Sequence, residues 1–413
     1  MEHDPQPAVD PSPAPPVVSF DGGRGDLAAL LFRNLLLTLA TLGIYRFWAK
    51  TRVRGFLWRH VRLLDEPLEY LGNGTELLIG FLIAVVVIAP FTGLYSWLPS
   101  LVPEELPYGV LVLQAVYYGT LGFLVQFAVY RVRRYRLTRT AWRGIRFGLG
   151  GSALKYALIW CLYGVATLAT AGLAYPWLRV ATTRYFAGNV RFGTTGFAFE
   201  GGAVRLFLRW LVVTAPALAG LFLFFLVNGE ALAAFLRLLD DPTPDGPAVI
   251  DAAGRLNFAP AALLLVSAVL LPWYRVSEFR HLVNAVRIGG NRLESRMASG
   301  PVYGVYFLFY IVVLGMGLFA AFGVFGVLQI VIKESGVLLN PALGTVLGLL
   351  VAGSGYWLYG LARVLIVKIS LLGMACETLS IQQPEALERT VQSTASLPGH
   401  GEGLADALDV GGF

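Results

Sequence analysis

The sequence predicts an all-α polytopic membrane protein, a helical bundle of six to eight transmembrane segments built from internal repeats, with short cytoplasmic β-hairpin-like loops. Three observations support this prediction: the composition, a series of long apolar runs, and a pattern that recurs along the chain. Of the 413 residues, 56% are hydrophobic and only 14% are charged, whereas soluble domains carry about 25% charged residues. The mean hydropathy of +0.65 also indicates a membrane protein.

Eight apolar runs are candidates for crossing a membrane, since about 20 apolar helical residues span the hydrocarbon core. They are apolar on every face and lack the period-two polarity of barrel strands, which predicts helices. The runs are 27–45, 77–98, 109–130, 153–177, 206–227, 257–273, 301–332 and 341–366.

The termini are predicted to lie outside the membrane domain. Residues 1–17 are acidic and proline-rich and lack the features of a secretory signal, so we expect a disordered tail that stays attached. Residues 18–380 form the predicted membrane domain, and residues 381–413 a flexible C-terminal tail. The two cysteines and four histidines show no ligand spacing. We therefore expect no metal, no cofactor and no catalytic residue.

Basic segments between the apolar runs predict the orientation of the chain, because Lys and Arg collect on the cytoplasmic side of membrane helices. The net charge of +6 therefore reports topology rather than nucleic-acid binding. The four segments expected to face the cytoplasm are 46–76, 131–146, 179–205 and 274–296.

The run 153–177 conflicts with this charge map, because an arginine-rich segment lies on each side of one span's length. Either one of these segments lies outside, or the stretch dips in and returns as a re-entrant element, which Gly164 and Gly172 would permit. The run 27–45 resembles it in sequence, as "TLATLGIYRFWAKTR" beside "TLATAGLAYPWLRVATTR". If both are re-entrant, six full spans remain and both termini are cytoplasmic. If 27–45 spans, the acidic tail lies outside.

Two recurring patterns predict duplication of one membrane module. In the first, a tryptophan precedes a Val-Arg pair, with the arginine 14 residues after it, and a β-prone, glycine-containing hairpin follows. Its copies are Trp48/Arg62, Trp177/Arg191 and Trp273/Arg287, with a weaker one ending at Arg146. In the second, an aromatic residue and a glycine precede an apolar run that begins with leucine. Its copies are Phe20/Gly22/Leu27, Tyr70/Gly72/Leu77, Phe147/Gly148/Leu154 and Phe199/Gly201/Leu206.

At these residues the chain resembles the YjgN family of bacterial inner-membrane proteins, whose shared domain has no known function. The resemblance is strongest over "LLLTLATLGIYRFWAKTRVRGFLWRHVRLLDEPLEYLGNGTELLIGF" and returns at "TTRYFAGNVRFGTTGFAFEG" and "NAVRIGG". It covers nearly all of 18–380. The chain departs from the family at "LLDEPLEY", where a glycine-containing turn is expected and Pro67 can make the turn instead. The resemblance implies a multi-pass inner-membrane protein and supplies no reaction or substrate.

Polar residues within the apolar runs form a candidate intramembrane site, because such residues are costly in lipid. Arg33 and Asn34 interrupt the first run, and Gln114 and Gln126 lie in the third. A lipid-exposed arginine costs a few kcal/mol, so Arg33 should face protein, a water-filled cavity or a lipid phosphate. The alternative is that these side chains snorkel to the membrane edge.

A second candidate site is a belt of arginine, lysine and tryptophan side chains at the membrane edge. Such a belt attracts anionic lipid headgroups by about 1 kcal/mol per basic residue, although the same residues could serve topology alone. The predicted belt comprises Trp48, Lys50, Arg52, Arg54, Trp58, Arg62, Arg131, Arg133, Arg134, Arg146, Trp177, Arg184, Arg191, Trp273 and Arg287.

For function the sequence favours transport or translocation of a small solute or a lipid, because repeated membrane modules often form a site at their interface. The alternative is a non-transporting scaffold or regulator that binds a membrane partner or an anionic lipid through the belt. An enzyme is not expected, since Ser354 has no His or Lys partner at membrane depth. The expected partners are membrane lipids and a membrane protein, and not nucleic acid.

Overall fold

The chain alternates between short antiparallel strands and pairs of helices. In this computed structural model the described residues are 17–103, 106, 108–239, 246–335, 353–382 and 390–391. The predicted N-terminal tail lies outside this part, except for Val17, and so does most of the predicted C-terminal tail. The strands are β1 Val18–Phe20, β2 Val61–Leu63, β3 Glu66–Pro67, β4 Glu69–Tyr70, β5 Thr140–Trp142, β6 Ile145–Leu149, β7 Val190–Phe192, β8 Thr195–Phe199, β9 Val286–Ile288, β10 Asn291–Ser295 and β11 Leu379–Ile381.

The helices form five pairs, and each pair leaves the strands and returns to them. The first pair is α1 Arg24–Ala40 with α2 Arg46–Arg59, the second α3 Gly74–Trp97 with α4 Gly109–Thr138, and the third α5 Ala153–Ala169 with α6 Tyr175–Ala187. The fourth is α7 Val204–Leu239 with α9 Ala262–Asn284, with the short α8 Gly246–Gly254 between them. The fifth is α10 Ser299–Ser335 with α11 Gly353–Glu377, which contains a π-helical turn over Arg363–Lys368.

The strands before and after each helical pair are neighbours in a sheet. The sheet orders are β1-β2-β3 and β11-β10-β9-β8-β7-β6-β5-β4, and only Leu68 separates β3 from β4 in the chain. Tight turns join the other antiparallel neighbours, for example Arg143 and Gly144 between β5 and β6. We call the two sheets together the β layer.

The prediction of an all-α protein was therefore wrong in this respect, because the hairpins join into sheets rather than standing apart. A lone two-stranded hairpin leaves unpaired N–H and C=O groups along its edges, and pairing with the next hairpin satisfies them. The turn predicted at Pro67 was also misplaced. Leu64 and Asp65, both with positive φ, make that turn, and Pro67 lies in β3 opposite Arg62.

The β layer has its own apolar core. Trp142 is fully buried there, packs with Phe192, Ile288 and Ile381, and donates its indole N–H to the carbonyl of Leu63 at 3.1 Å. Side chains alternate between the two faces of a strand, so the middle residue of a three-residue strand lies on the face opposite to that of the first and third. This alternation explains the Val-Arg pattern, because the arginine is the middle residue of β2, β7 and β9.

A backbone hydrogen bond closes the base of every helical pair, and we call each such place a junction. In each junction an amide before the outgoing helix donates to a carbonyl after the returning helix, at 2.8 to 3.1 Å. From the first to the fifth junction the bonds are Asp21 to His60, Leu71 to Arg139, Gly150 to Asn189, Glu200 to Ala285, and Arg296 to Thr378.

The runs 27–45 and 153–177 do not form continuous helices that cross away from the β layer. Each breaks after a 17-residue helix, which rises about 25 Å, and the next helix returns to the neighbouring strand. The turns have matching geometry, with Gly43 and Gly172 both at φ +91°. The hydroxyls of Thr41 and Thr170 bond to carbonyls one turn earlier, each at 2.8 Å. Both threonine hydroxyls are thereby paired within the turn itself.

The protein is a helical membrane protein with five helices, among the residues that the structure describes, that are long and apolar enough to span a bilayer. They are α4, α7, α9 with the 3₁₀ turn before it, α10 up to Gly323, and α11. The predicted run 341–366 lies partly outside the described residues.

One part of the predicted C-terminal tail contacts the β layer. Thr390 is buried, its hydroxyl lies 2.9 Å from that of Thr195, and the carbonyl of Val391 accepts from the amide of Thr194 at 3.1 Å. The predicted boundary at 380 also falls inside β11. Beyond these contacts the division into tails and domain stays a prediction.

Candidate functional site

A basic pocket of 590 Å³ lies at the fourth junction, between the start of α7 and the end of α9. Five arginines and a histidine line it, against a single carboxylate. These residues are Arg205, Arg209, Arg280, Arg287, Arg292, His281 and Glu200. Such an excess of guanidinium groups in one concave site favours an anionic ligand.

Secondary structure brings these charges together from three places in the sequence. Arg205 and Arg209 are four residues apart and share one face of α7. Arg287 in β9 and Arg292 in β10 are direct cross-strand partners. Like charges placed opposite each other in a sheet are destabilising, so this arrangement is costly unless negative charge lies nearby.

Glu200 supplies part of that negative charge. Its Oε2 accepts two hydrogen bonds from Arg287, from Nε at 2.9 Å and from Nη2 at 2.7 Å. These bonds and the charge of Arg287 hold the pKa of Glu200 below its ordinary value. The remaining nitrogen of Arg287, Nη1, is buried and has no hydrogen-bond partner among the described residues. A buried donor left without an acceptor costs about 1–3 kcal/mol, so Glu200 satisfies only part of the Arg287 guanidinium group.

His281 connects the end of α9 to the backbone just before α7. Its Nε2 lies 2.8 Å from the carbonyl of Gly202, just before α7 begins. The third junction has a matching contact, in which the Tyr185 hydroxyl donates to the Ser152 carbonyl at 2.9 Å. The end of the returning helix therefore holds the start of the outgoing helix in both junctions.

A cluster of charged side chains surrounds the buried Glu278 on α9, close in sequence to the residues of that helix that line the pocket. Glu278, whose side chain is only 3% exposed, pairs with Arg179 of α6 and with Arg275 at 3.1 Å. Arg275 also donates to the hydroxyl of Tyr175 at 2.5 Å. Breaking a buried ion pair leaves an uncompensated charge, so this cluster holds α6 against α9. This cluster could not be predicted from the sequence, because Arg179 and Glu278 are 99 residues apart.

The four residues of the predicted intramembrane site lie on two separate elements. Asn34 is buried, and its amide donates to the carbonyl of Ala49 at 3.4 Å, which ties α1 to α2. Arg33 on α1 and Gln114 on α4 are exposed, and Gln126 is half-buried. No hydrogen bond described for the chain joins Arg33 to either glutamine.

The predicted belt includes one residue that cannot reach a headgroup. Arg54 is 1% exposed and donates to the Tyr70 hydroxyl at 3.2 Å, so its place in the belt was wrong. A buried arginine must donate its hydrogen bonds to acceptors within the protein, because a buried charge without partners is costly. Position in the sequence could not reveal this, because α2 carries basic residues on both its buried and its exposed faces.

Several other belt residues also have partners within the protein. Arg133 donates to Tyr156, Arg134 to the Gly150 carbonyl, Arg184 to the Gly201 carbonyl, and Arg62 to Asp21, at 2.7 to 3.2 Å. Trp58 donates to Thr140, and Trp48 and Trp273 are half-buried among other apolar side chains. The more exposed members are Arg52, Arg191 and Trp177, while Lys50, Arg131 and Arg146 are half-buried.

The sequence missed the pocket as a site, although it contained a signal. Arg205 ends one predicted basic segment, and Arg280, Arg287 and Arg292 belong to another. These segments are about 80 residues apart and were interpreted as two cytoplasmic loops. Only the pairing of β8 with β9 brings them to one place.

The chain is similar to known bacterial proteins. A family model described as "Bacterial protein of unknown function (DUF898)" matches residues 15–407. The inner membrane protein YjgN of Salmonella typhimurium is 26% identical over 171 residues, which are 38% of this chain and 40% of that relative. The match thus spans less than half of the relative's length. No solved structure matches the chain. Because the family model covers nearly all of its length, the chain belongs to this DUF898 family, the YjgN family that its sequence resembles.

Proposed function

We propose that this inner-membrane protein binds a phosphate-bearing anion at the basic pocket and transports or translocates it. The observation that carries this proposal is the lining of the pocket, with five guanidinium groups against one carboxylate. The guanidinium group is planar and presents donors in a fork that matches phosphate oxygens, which favours phosphate over a spherical anion.

The topology that we infer has six crossings and a cytoplasmic β layer. The five long apolar helices support it, together with α3, whose 24 residues connect the β layer to the far end of α4. Basic residues cluster beside the β layer, which supports a cytoplasmic location for that side. In this topology α1 with α2 and α5 with α6 are re-entrant. The five equivalent junctions support duplication of one module.

The first experiment measures anion binding to the purified full chain in neutral detergent. We expect glycerol 3-phosphate to bind and uncharged glycerol not to bind, in a calorimetric titration. The double variant Arg205→Gln, Arg209→Gln should lower the affinity for glycerol 3-phosphate by about 100-fold, since a hydrogen bond to a charged group contributes about 1.5–3 kcal/mol.

The matched control is Arg237→Gln, which removes an arginine from the last turn of the same helix. It lies far from the pocket and should bind as the wild type does. Equal affinity of the double variant and the wild type would overturn the proposed site. So would an equal loss in Arg237→Gln, because the binding would then report only the total positive charge.

A second experiment separates transport from the alternative function. Proteoliposomes are tested for movement of labelled glycerol 3-phosphate and of fluorescent phosphatidylglycerol, with Arg209→Gln as the comparison. Movement that this variant reduces supports transport or translocation. If the anion binds at the pocket but neither compound moves faster than in protein-free vesicles, the protein is a scaffold or regulator that senses the anion.

A further inference from the structure

An apolar stripe on α7 begins inside the basic pocket. Val204 lines the pocket and is 65% exposed. Leu208 and Val212 follow at intervals of four residues and are 60% and 49% exposed. Residues at i, i+4 and i+8 lie along one side of a helix, so the stripe runs from the pocket along α7, away from the β layer.

The charges and the stripe lie side by side on the same helix. Arg205 and Arg209 each follow a stripe residue by one position, so the two rows run in parallel. Farther along, Ala215, Ala219 and Phe222 are also exposed and continue the apolar row at helical spacing. The apolar row is about 27 Å long, at 1.5 Å per residue over Val204 to Phe222. One leaflet of a bilayer contributes about 15 Å of hydrocarbon, so the first half of the row is long enough to contact an acyl chain of that leaflet.

We propose, on the basis of the function proposed above, that the ligand of the pocket is an anionic phospholipid. Its phosphate lies among the arginines, and an acyl chain lies along the Val204–Leu208–Val212 stripe. A free phosphate ester would use only the charges, whereas the exposed apolar row of α7 begins among the same five arginines. An amphiphile uses both surfaces, because burying apolar area adds to the electrostatic attraction.

The third junction shows that the stripe alone does not define the site. On α5, Leu154 and Leu158 occupy positions equivalent to Val204 and Leu208, counted from the junction amide, and are 53% and 55% exposed. Lys155 stands where α7 has Arg205, and Ile159 stands where α7 has Arg209. The third junction therefore has the apolar row without the row of arginines, which provides a matched control.

The experiment compares a two-chain phosphatidylglycerol with glycerol 3-phosphate as ligands for the full chain in neutral detergent. We expect the lipid to bind at least tenfold more tightly than glycerol 3-phosphate. Leu208→Gln should reduce the affinity for the lipid about tenfold and leave that for glycerol 3-phosphate unchanged. Leu158→Gln, at the equivalent position of α5, should change neither affinity.

The outcomes separate this inference from the proposed function. If glycerol 3-phosphate binds through the arginines but the lipid binds no more tightly, the ligand is a soluble anion and the lipid proposal is overturned. If Leu208→Gln leaves the affinity for the lipid unchanged, the acyl chain does not lie on the stripe, and the proposal fails in the same way. If neither compound binds, the proposed anion site itself is wrong.

Discussion

The first and fourth junctions share the contacts that close a helical pair. They differ in the charge of two side chains at equivalent positions of the outgoing helix. In both, a phenylalanine ring lies over the glycine two residues later, and an arginine in the returning strand pairs with the acidic residue between them at 2.7 Å. A fully buried leucine follows in both, Leu27 in α1 and Leu206 in α7. Yet Asp26 and Leu30 of α1 occupy the positions that Arg205 and Arg209 hold in α7.

This difference separates residues that hold the fold from residues that make the site. The shared positions close the base of a helical pair, and they do so with or without a ligand. The charged positions of α7 make no contact that the first junction needs, since α1 folds against α2 without them. We conclude that the basic pocket distinguishes the fourth junction from the first, although both close a helical pair with the same contacts.

The largest expected effect tests the shared framework. Leu206→Ala and Leu27→Ala each remove a side chain with no exposed surface, and such cavities cost about 2–5 kcal/mol. Both variants should unfold at a clearly lower temperature in neutral detergent, by similar amounts. Leu154→Ala is the control, because that leucine is 53% exposed. A loss in only one of the two variants would contradict their equivalence.

The next effect tests the difference between the junctions directly. Exchanging the α7 residues for those of α1, as Arg205→Asp with Arg209→Leu, should reduce the affinity for glycerol 3-phosphate at least 100-fold, which is about 2.7 kcal/mol. Calorimetric titration measures the affinity, and the unfolding temperature should change little. If the exchange unfolds the protein, the two arginines belong to the framework, contrary to our interpretation.

A smaller effect is expected at the glycine beneath the aromatic ring. A Cβ on Gly201 would lie 2.4 Å from Cζ of Phe199 and 2.9 Å from Cβ of Ala285. Gly201→Ala should therefore cost about 1–3 kcal/mol by overpacking, as should Gly22→Ala beneath Phe20. Gly202→Ala has open space around its new Cβ and should leave the unfolding temperature unchanged. Equal unfolding temperatures for Gly201→Ala and Gly202→Ala would contradict this packing.

The smallest effect on stability is expected at the ion pairs. The carboxylates of Glu200 and Asp21 are 60% and 45% exposed, so Glu200→Gln and Asp21→Asn should each change the unfolding temperature only slightly. They should differ in binding, because only Glu200→Gln releases Arg287 toward the pocket and raises the affinity for glycerol 3-phosphate. A similar gain in Asp21→Asn would place the effect outside the pocket.

The pH dependence follows from the same pair. The pKa of Glu200 is lowered from 4.5, so the stabilisation by this pair is present above that value and is lost as the pH falls through the lower pKa of the folded state. Between pH 5 and pH 8 the unfolding temperature of Glu200→Gln should therefore differ from that of the wild type by a constant amount. A difference that changes across this range would mean that the pair titrates at a higher pH.

In three of its four copies, the pattern that places a leucine at the start of an apolar run coincides with a buried side chain. Duplication of the module itself stays a prediction. Leu27, Leu77 and Leu206 are fully buried, and each lies near the start of its helix. The fourth copy, Phe147/Gly148/Leu154, was assigned in the wrong register. Leu154 is exposed, while Gly151 and the buried Tyr156 stand at the equivalent spacing from the junction. The sequence alone does not show the contact between the glycine and the aromatic ring that fixes the position of the pattern. The assigned Leu154 therefore lies two residues before the equivalent buried position.

The sequence by itself determined that this is a helical membrane protein, because apolar length and composition act locally. It also revealed that the charge map conflicts with a single crossing by 153–177, because the sequence alone shows basic residues on both sides of that apolar run. Only the tertiary structure decided that the hairpins form a β layer and that one junction collects five arginines. Strand pairing joins residues about 80 positions apart, and its hydrogen bonds use backbone groups that every residue carries, so no local pattern specifies which strands meet.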